Sequence, residues 1–319
     1  MLFELAANGL KLYLNIPQKE VHPGQLVTVC IKAVNRHVIF LGKQQFQIGV
    51  VYLNTPGNEK EMLQCDGVTE KVQQTMAEFS PKHCGIAQID IEKVFLQDYL
   101  GLIGTQKNFR GSCQLAVLPE PVLSTRIRTG MEKQQEYRYS AVADDDSDIL
   151  DLRAFRPGDN LNHIHWNLSL RTDDLIVRQY GEQIDVKKVI LVDLSILNTA
   201  QYRSRMDAVY TAVASIANLY VENEVNTLIL AWNGQKQSAE YLEVHDRTEL
   251  NRAMIRLMQI PCSSRAGEHA AAVYLKDIEA QGQQALFVTA GSYENNKVRI
   301  VNVEKIQLQE LIDELWEKI

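Results

Sequence analysis

The chain has 319 residues, of which 45% are hydrophobic and 23% are charged, a composition that can bury a large core and that excludes wholesale disorder. Its 33 basic and 40 acidic residues give a formal net charge of −7, so its long-range field repels phosphate backbones and we expect no nucleic-acid partner. The five cysteines have no C-x-x-C spacing, which argues against a disulfide framework and against a thiolate zinc site.

The first third of the chain alternates apolar and polar residues in short runs that are separated by turn residues. This pattern predicts an N-terminal antiparallel β-sandwich of about seven strands, which would occupy residues 1–120. Pro119 and Pro121 predict the boundary near residue 120, because proline cannot donate to a strand ladder. The predicted strands are Leu10–Leu14, Leu26–Val34, Phe46–Leu53, Val68–Phe79, Ile86–Val94 and Ser112–Leu118.

Residues 121–187 are predicted to form a connecting segment. The stretch from Arg126 to Ile149 is polar and lacks an apolar period over most of its length, which is typical of an exposed connection.

From residue 188 to residue 319, apolar strands alternate with amphipathic helices. Val189–Val192 is continuously apolar, as expected of a parallel strand that is covered on both faces. The alternation predicts an open α/β sheet with right-handed crossovers. The other predicted elements are a helix over Arg205–Val221, a strand over Thr227–Trp232, a helix that a capping box opens at Asp246 and that ends at Met258, a helix over Glu268–Gln281, strands over Ala285–Thr289 and Val298–Val303, and a C-terminal helix that includes Leu308–Leu315.

An arginine-rich block in the connecting segment resembles the signature of a known family. The run R-A-F-R-P-G-D-N-L begins at Arg153, and I-H-W, R-T and L-I-V-R-Q-Y follow it up to Tyr180. This block resembles the bacterial family labelled domain of unknown function 58, in which R-x-Y-x-P-G-D-D-x-R-x-I-D/H-W and A-R-x-x-x-L precede a von Willebrand factor A-like domain. The run from Asp98 to Leu102 is similar to the element that closes the family's N-terminal β domain. The chain departs from the family pattern at Phe155, Asn162 and Leu170.

The resemblance implies a von Willebrand A-like, Rossmann-like fold for residues 188–319. It also implies a protein partner, since family members are often encoded beside MoxR-type AAA+ ATPases. Family members usually begin with two membrane helices, whereas this chain has no run of about 18 apolar residues. We therefore expect a cytoplasmic location, or a place at the cytoplasmic face of the membrane through an N-terminal anchor that is not present in this chain.

The resemblance to von Willebrand A domains implies the position of a metal-dependent adhesion site, directly after the first strand of the α/β sheet, Val189–Val192. Asp193 and Ser195 occupy the first two ligand positions of the D-x-S-x-S motif, but Leu197 offers no oxygen at the third. The later loop reads Thr289-Ala290-Gly291 and lacks the expected aspartate. Since these ligands are too few for tight Mg²⁺ binding, we expect a metal-free loop, with Asp193 and Ser195 hydrogen-bonded in it, and no cofactor.

The signature block allows two interpretations. Pro157 and Gly158 fit a turn, since proline presets the first corner and glycine supplies positive φ. The remaining signature residues either hold the segment onto a domain through guanidinium contacts, which we expect, or form a partner-facing or anion-binding patch. We expect a structural role, not a metal-binding one, for the histidine of this block. The remaining signature residues, apart from Pro157 and Gly158, are Arg153, Arg156, Asp159, His165, Trp166, Arg171 and Arg178.

The sequence has no G-x-S-x-G elbow, P-loop or H-E-x-x-H motif, so we expect the chain not to be an enzyme. The favoured hypothesis is a non-catalytic protein-interaction or assembly adaptor that works with a MoxR-type AAA+ ATPase. The alternatives are a Mg²⁺-dependent adhesion-type domain, a serine hydrolase that uses Ser195, and binding by the β-sandwich alone.

Overall fold

The computed structural model describes residues 9–35, 41–53, 60–68, 72–98, 100–109, 111–125, 138–140, 149–156, 159, 163–172, 174–180, 182–184, 187–195, 201–278, 285–291, 293 and 298–318. The chain divides into two compact units. The first comprises Met1–Ile127 together with Lys188–Ile319, and the second comprises Arg128–Lys187.

The N-terminal part of the first unit consists of two β-sheets that share one apolar core. One sheet has the order β1-β3-β6, and the other has the order β2-β9-β7-β4-β5 with β8 paired to β7. Fully buried side chains from both sheets, such as Ile31 and Phe46, meet in the core. The predicted antiparallel β architecture is confirmed. The strands are β1 (Leu10–Asn15), β2 (Glu20–Val21), β3 (Val27–Asn35), β4 (Leu41–Tyr52), β5 (Lys60–Val68), β6 (Val72–Phe79), β7 (Gly85–Asp98), β8 (Gly104–Lys107) and β9 (Ser112–Val117).

The strand count differs from the prediction. The described part of this region contains nine strands, whereas about seven were predicted. Among the described residues, the missed strand β5 pairs with β4 alone and lies at the end of one sheet, so its exposed Met62 and charged residues weaken the apolar alternation. The strands β2 and β8 are too short to give a periodic signal.

The described part of the second unit contains two small antiparallel ribbons and one helix. They consist of β10 (Arg138–Ser140), β11 (Ile149–Ala154), α1 (Trp166–Thr172), β12 (Ile176–Tyr180) and β13 (Glu182–Ile184). The strand β10 pairs with β13, and β11 pairs with β12. The predicted exposed connection therefore contains a strand at Arg138–Ser140, while its residues 126–137 and 141–148 lie outside the described residues.

The C-terminal part of the first unit is a five-stranded sheet covered by helices, so a mixed α/β architecture is confirmed. Its order is β16-β15-β14-β17-β18, and all pairs are parallel except that of β15 with the edge strand β16. Alternate residues of β14 belong to two separate cores, which explains its continuous apolar run. The elements are β14 (Lys188–Val192), α2 (Tyr202–Glu222), β15 (Thr227–Asn233), β16 (Ser238–Val244), α3 (Arg247–Gln259), α4 (Ala266–Val273), β17 (Ala285–Thr289), β18 (Arg299–Asn302) and α5 (Leu308–Glu317).

Two features of this sheet were not predicted. The antiparallel strand β16 returns through a tight turn that begins at Gly234. The helix predicted over Glu268–Gln281 is α4 followed by a π-helical turn at Tyr274–Ile278, and its predicted end lies outside the described residues.

The β-sheets and the α/β sheet of the first unit meet at α2. Asp207 accepts hydrogen bonds from His83 Nδ1 at 2.7 Å and from the Cys84 N–H at 2.8 Å. Buried residues of the N-terminal part of this unit, including Ile86 and Leu118, join the core formed by α2 and α3. Among the described residues, no helix has the length and apolar character needed to cross a membrane.

Candidate functional site

The strand order of the α/β sheet reverses direction along the chain at β14. The chain runs from β14 outward to β15 and β16 on one side, and then returns to place β17 and β18 on the other. Ligands in open α/β sheets bind beyond the carboxyl ends of the strands at such a point. Asp193 directly follows β14, and Thr289 ends the neighbouring β17, so both lie at this position.

The Asp193 carboxylate is held by two donors from the protein. Its Oδ1 accepts a hydrogen bond from the Ser195 N–H at 3.0 Å, and its Oδ2 accepts one from Thr289 Oγ1 at 2.7 Å. The fully buried Thr289 hydroxyl also accepts from the Gly291 N–H at 2.9 Å. The carboxylate thus ties the loops after β14 and β17 together.

The first turn of α4 also contacts the loop after β14. The Gly267 N–H donates to Ser195 Oγ at 3.2 Å. A Cβ atom on Gly267 would lie 2.5 Å from Asp193 Oδ1 and 2.9 Å from Cζ of the buried Phe287. Only glycine lets the helix approach the carboxylate this closely. We call Asp193, Ser195, Gly267 and Thr289 the Asp193 cluster.

The loop before α4 is also joined to this edge of the sheet. The Ser263 N–H donates to the Leu194 carbonyl at 3.3 Å, and Ser195 and Ser263 form an isolated parallel bridge. A Cβ atom on Gly234, in the turn after β15, would lie 2.5 Å from Ser263 Cβ. The turn after β15 is therefore packed against the loop that contacts Ser195.

The donor set of the Asp193 cluster does not fit a tightly bound divalent cation. It offers one carboxylate and two hydroxyls, and both carboxylate oxygens already accept hydrogen bonds from the protein, whereas Mg²⁺ demands near-octahedral oxygen coordination. The described residues include no group of three or more His, Cys, Asp or Glu side chains that could hold a metal ion. Leu197, at the third motif position, lies outside the described residues.

Neither His245 nor His269, the two histidines of the α/β sheet region, is positioned as a general base for Ser195. The His245 Nδ1 lies 2.7 Å from Asn226 Oδ1, at the opposite end of the sheet. The His269 ring stacks on Trp232 with a centroid distance of 4.9 Å. Neither imidazole forms a hydrogen bond with Ser195 in the described part of the chain, so the serine and these histidines do not form a nucleophile–base pair.

Three cysteine thiols are also poor nucleophiles. Burial raises the pKa of the Cys84 thiol to about 12 and that of the Cys65 and Cys113 thiols to about 11, so all three are protonated near neutral pH. Near the Asp193 cluster, burial likewise raises the pKa of the Cys262 thiol.

The residues of the signature block lie in the second unit. Arg153 pairs with Val177 in the β11–β12 ladder, and Arg178 pairs with Leu152, so the two arginines occupy successive ladder positions. The exposed Arg171 lies in the last turn of α1, which ends at Thr172.

The backbone around Asp159 has the contacts of a turn. The Arg156 N–H donates to Asp159 Oδ2 at 2.7 Å, and the Asp159 N–H donates to the Arg156 carbonyl at 3.0 Å. Pro157 and Gly158, which the sequence placed at its corners, lie outside the described residues.

His165 and Trp166 lie at the start of α1. The Leu168 N–H donates both to the His165 carbonyl at 3.0 Å and to His165 Nδ1 at 3.2 Å, so two acceptors of the same residue share this donor at the beginning of the helix. Trp166 is 58% exposed, and Leu170, one helical turn later, is 78% exposed. The helix therefore presents two large apolar side chains on one surface of its unit.

A comparison with protein families gives one match. A model of the family described as protein of unknown function DUF58 matches residues 151–297. This range contains the signature block and the Asp193 cluster, and the match supports the resemblance that the signature residues carry. A search of curated proteins gave no match.

Solved structures show only distant likenesses. The CARDB domain of a Pyrococcus furiosus protein is 10% identical, covers 34% of this chain and 87% of that chain, and has a TM-score of 0.24. A type II cohesin domain from the cellulosome of Acetivibrio cellulolyticus is 9% identical, covers 34% of this chain and 94% of that chain, and also has a TM-score of 0.24. Likenesses at these scores carry no argument about function.

Proposed function

We propose that this chain is a non-catalytic protein-interaction module that acts as an assembly adaptor. The observation that carries this proposal is the closed hydrogen bonding of the Asp193 cluster. Its carboxylate joins the loops after β14 and β17, and the Ser195 hydroxyl joins the first turn of α4 to them, so these hydrogen bonds fix three segments at the carboxyl edge of the sheet. Loops that are fixed before binding lose little conformational entropy on association, which favours recognition of a protein surface.

The α/β part of the proposed adaptor is a von Willebrand A-like, Rossmann-like domain without its metal. In its own strand numbering the sheet has the order 3-2-1-4-5, with an aspartate after the first strand and a threonine at the end of the fourth. The aspartate is at a position where an adhesion site of this fold places a metal ligand, whereas Ala290, which follows the threonine, stands where the later loop would supply an aspartate. In this chain the Thr289 hydroxyl donates directly to Asp193, so a protein hydrogen bond occupies one oxygen of this carboxylate.

The proposed partner is a MoxR-type AAA+ ATPase, which the family resemblance suggests. Two surfaces are available to it. One is the rim of the carboxyl edge, where Lys236 in the turn after β15 and Arg265 before α4 are exposed. The other is the surface of α1 with its exposed Trp166 and Leu170, since aromatic side chains are enriched in the centres of interfaces.

A binding measurement with matched charge reversals tests the proposal. The purified chain and the MoxR-type ATPase from the same organism are mixed with and without ATP, and binding is followed by biolayer interferometry. Lys236→Glu at the carboxyl edge is compared with Lys318→Glu, which follows α5 at the other end of the sheet. The two lysines are 66% and 59% exposed, and each pairs with a glutamate four residues away.

We expect wild-type binding in at least one nucleotide state, a clear loss of affinity for Lys236→Glu, and none for Lys318→Glu. Absence of wild-type binding in both states would contradict the proposed partner. Equal effects of the two charge reversals would contradict binding of the partner at the carboxyl edge, because a general effect of charge does not distinguish the two ends of the sheet.

A further inference from the structure

A pocket of about 220 Å³ lies between α2, α3 and the segment that links the two halves of the first unit. Its volume is below the roughly 300–1,000 Å³ of pockets that take drug-sized ligands, so it fits a smaller molecule. Its polar lining residues are His22, Asn218, Arg247 and Asn251, and none of the lining residues is acidic. The apolar lining residues are Leu118, Pro119, Pro121, Ala214, Leu250 and Met254.

The linking segment forms a wall that hydrogen bonds hold on both sides of its prolines. The Leu118 N–H donates to the Val21 carbonyl at 2.8 Å, and His22 Nδ1 donates to the Leu118 carbonyl at 3.0 Å, since a carbonyl oxygen can only accept. Beyond the prolines, the Val122 N–H donates to Ser215 Oγ of α2 at 2.9 Å. This wall is held without a ligand, so little conformational freedom is lost when a ligand binds.

The two helices run antiparallel along the pocket. On α2 the chain passes from Tyr210, at a small neighbouring cavity that Met258 of α3 also lines, to Asn218 in this pocket. On α3 it passes in the other direction, from Arg247 in this pocket to Met258. Asn218 and Arg247 therefore lie at the same end, and Met254 lies two turns, or about 10 Å, further along α3. The pocket thus has a polar end and an apolar end.

Arg247 supplies a positive charge at the polar end. It is exposed in the first turn of α3 and forms no ion pair in the described part of the chain. The carboxylates beside Arg247 and Asn218 are bound to other donors, since Asp246 Oδ1 accepts from a backbone N–H of α3 and Glu222 Oε1 accepts from Asn218 Nδ2 at 2.9 Å. Glu120 is exposed and does not line the pocket. The guanidinium can therefore present its donor fork to a ligand carboxylate.

Asn218 supplies a hydrogen-bond acceptor in the same region. The residue is 2% exposed, and its Nδ2 donates to Glu222, so the orientation of the amide is set and Oδ1 faces away from that carboxylate. No described residue donates a hydrogen bond to this Oδ1. Because a buried acceptor without a donor costs free energy, an N–H group of a ligand would stabilise this position.

We propose that this pocket binds a small aliphatic carboxylate with an amide N–H beside the carboxylate. This chemistry is shared by N-acyl amino acids and by the carboxyl-terminal residue of a peptide. The carboxylate pairs with Arg247, the N–H donates to Asn218 Oδ1, and the aliphatic side chain fills the apolar end at Met254. A purely apolar or purely ionic ligand would leave one of these features unmatched.

Titration with N-acetyl-L-leucine, followed by NMR of isotopically labelled methionine methyl groups in the full chain, tests the proposal. Met254 lines the pocket, whereas Met62 and Met76 are exposed on the β-sheets. We expect the Met254 resonance, assigned by its loss in Met254→Leu, to shift saturably with a Kd of about 1 mM. The carboxylates outside the lining limit the affinity to this range. The Met62 and Met76 resonances should not move.

Two analogues separate the polar contacts. N-acetyl-L-leucinamide lacks the carboxylate charge, and in O-acetyl-leucic acid an ester oxygen replaces the N–H, so each should bind about tenfold more weakly than N-acetyl-L-leucine. The difference between acid and amide should disappear in Arg247→Gln. It should remain in Arg252→Gln, which changes an exposed arginine of the same helix outside the pocket. The difference between the N-acyl amino acid and the ester should disappear in Asn218→Ala. Thermal melting checks that each variant is folded.

An acetylated tripeptide that ends in leucine distinguishes the two sources of the ligand. Binding as tight as that of N-acetyl-L-leucine assigns the pocket to peptide carboxyl termini, and much weaker binding assigns it to free N-acyl amino acids.

Three outcomes would overturn the proposal. The first is the absence of a saturable shift of Met254, and the second is an equal shift of Met62 and Met76, which would indicate nonspecific binding. The third is a difference between acid and amide that survives Arg247→Gln, or a difference between amino acid and ester that survives Asn218→Ala. The adaptor proposal stands or falls separately, since it concerns other residues.

Discussion

At the scale of single residues, Gly267 is the position where the cluster tolerates least change. An added methyl group would press against a carboxylate that two hydrogen bonds hold and against a fully buried ring. Because neither neighbour can move freely, we expect Gly267→Ala to lower the free energy of unfolding by about 2 kcal/mol. Urea denaturation measures the change.

Gly111→Ala is the matched control, since a Cβ atom there meets nothing within 4 Å. Its stability should change by less than about 1 kcal/mol in either direction. Equal effects at the two glycines would show that helix α4 does not need its close approach to Asp193.

Substitution of Asp193 distinguishes a structural role of this carboxylate from a metal-binding role. Asp193→Ala leaves the Ser195 N–H and the buried Thr289 hydroxyl without their acceptor, so we expect a loss of about 1–3 kcal/mol in the free energy of unfolding. Since we assign no cation to the site, millimolar Mg²⁺ should not raise the melting temperature of the wild-type chain. A Mg²⁺-dependent rise that Asp193→Ala abolishes would contradict this assignment, because a ligand that binds only the folded state must stabilise it.

At the scale of elements, the start of α3 shows a local signal that the structure reproduces. Asp246 Oδ1 accepts a hydrogen bond from the Glu249 N–H at 2.7 Å, as the predicted capping box requires. The return bond differs in detail, because Glu249 Oε2 accepts from the His245 N–H at 3.0 Å instead of from the Asp246 N–H.

We expect Asp246→Ala to lower the free energy of unfolding by about 1 kcal/mol, since the cap satisfies a donor that the helix cannot satisfy itself. Asp246→Asn keeps an acceptor and should restore most of the loss. Chemical denaturation of both variants checks the prediction. A loss that is the same in both would mean that charge, and not the hydrogen bond, stabilises this helix end.

The helices and buried strands of residues 188–319 could be predicted because each has an apolar pattern of its own, whereas α1 and the ribbons of the second unit were not predicted. Edge strands such as β5 and β16 could not, since half of their side chains face solvent and their pairing partner sets their position. Asp193 was found from its place after a buried strand. Gly267 was missed because its role is a close approach to a residue more than 70 positions earlier, and no local pattern marks such an approach.

At the scale of the whole molecule, the two halves of the first unit are joined by a shared core and by several polar contacts. Apolar residues at the edge of the β-sheets, such as Ile86 and Leu118, are buried together with residues of α2 and α3. The linking residues Ser124 and Thr125 also donate to Asp313 of α5 at 2.8 Å. Separation of the halves would expose this apolar surface to water, so we expect the halves of this unit to unfold together.

Asp207 provides the test of this coupling, because it alone among the described residues of α2 accepts from both His83 and the Cys84 N–H. Asp207→Ala leaves both donors without this acceptor at a partly buried junction, so we expect a loss of about 2 kcal/mol in the free energy of unfolding. Asp90→Ala is the control, since the Asp90 carboxylate accepts from Gln88 within its own strand and should cost less.

Urea unfolding followed by tryptophan fluorescence and by circular dichroism measures the coupling. In a Trp166→Phe background, which removes the tryptophan of the second unit, Trp232 and Trp316 report on the α/β half, while circular dichroism reports on both halves. In this background the two signals from the first unit should change at the same urea concentration, and Asp207→Ala should move both transitions together. If the variant shifted one transition and left the other in place, the shared core would be too small to couple the halves.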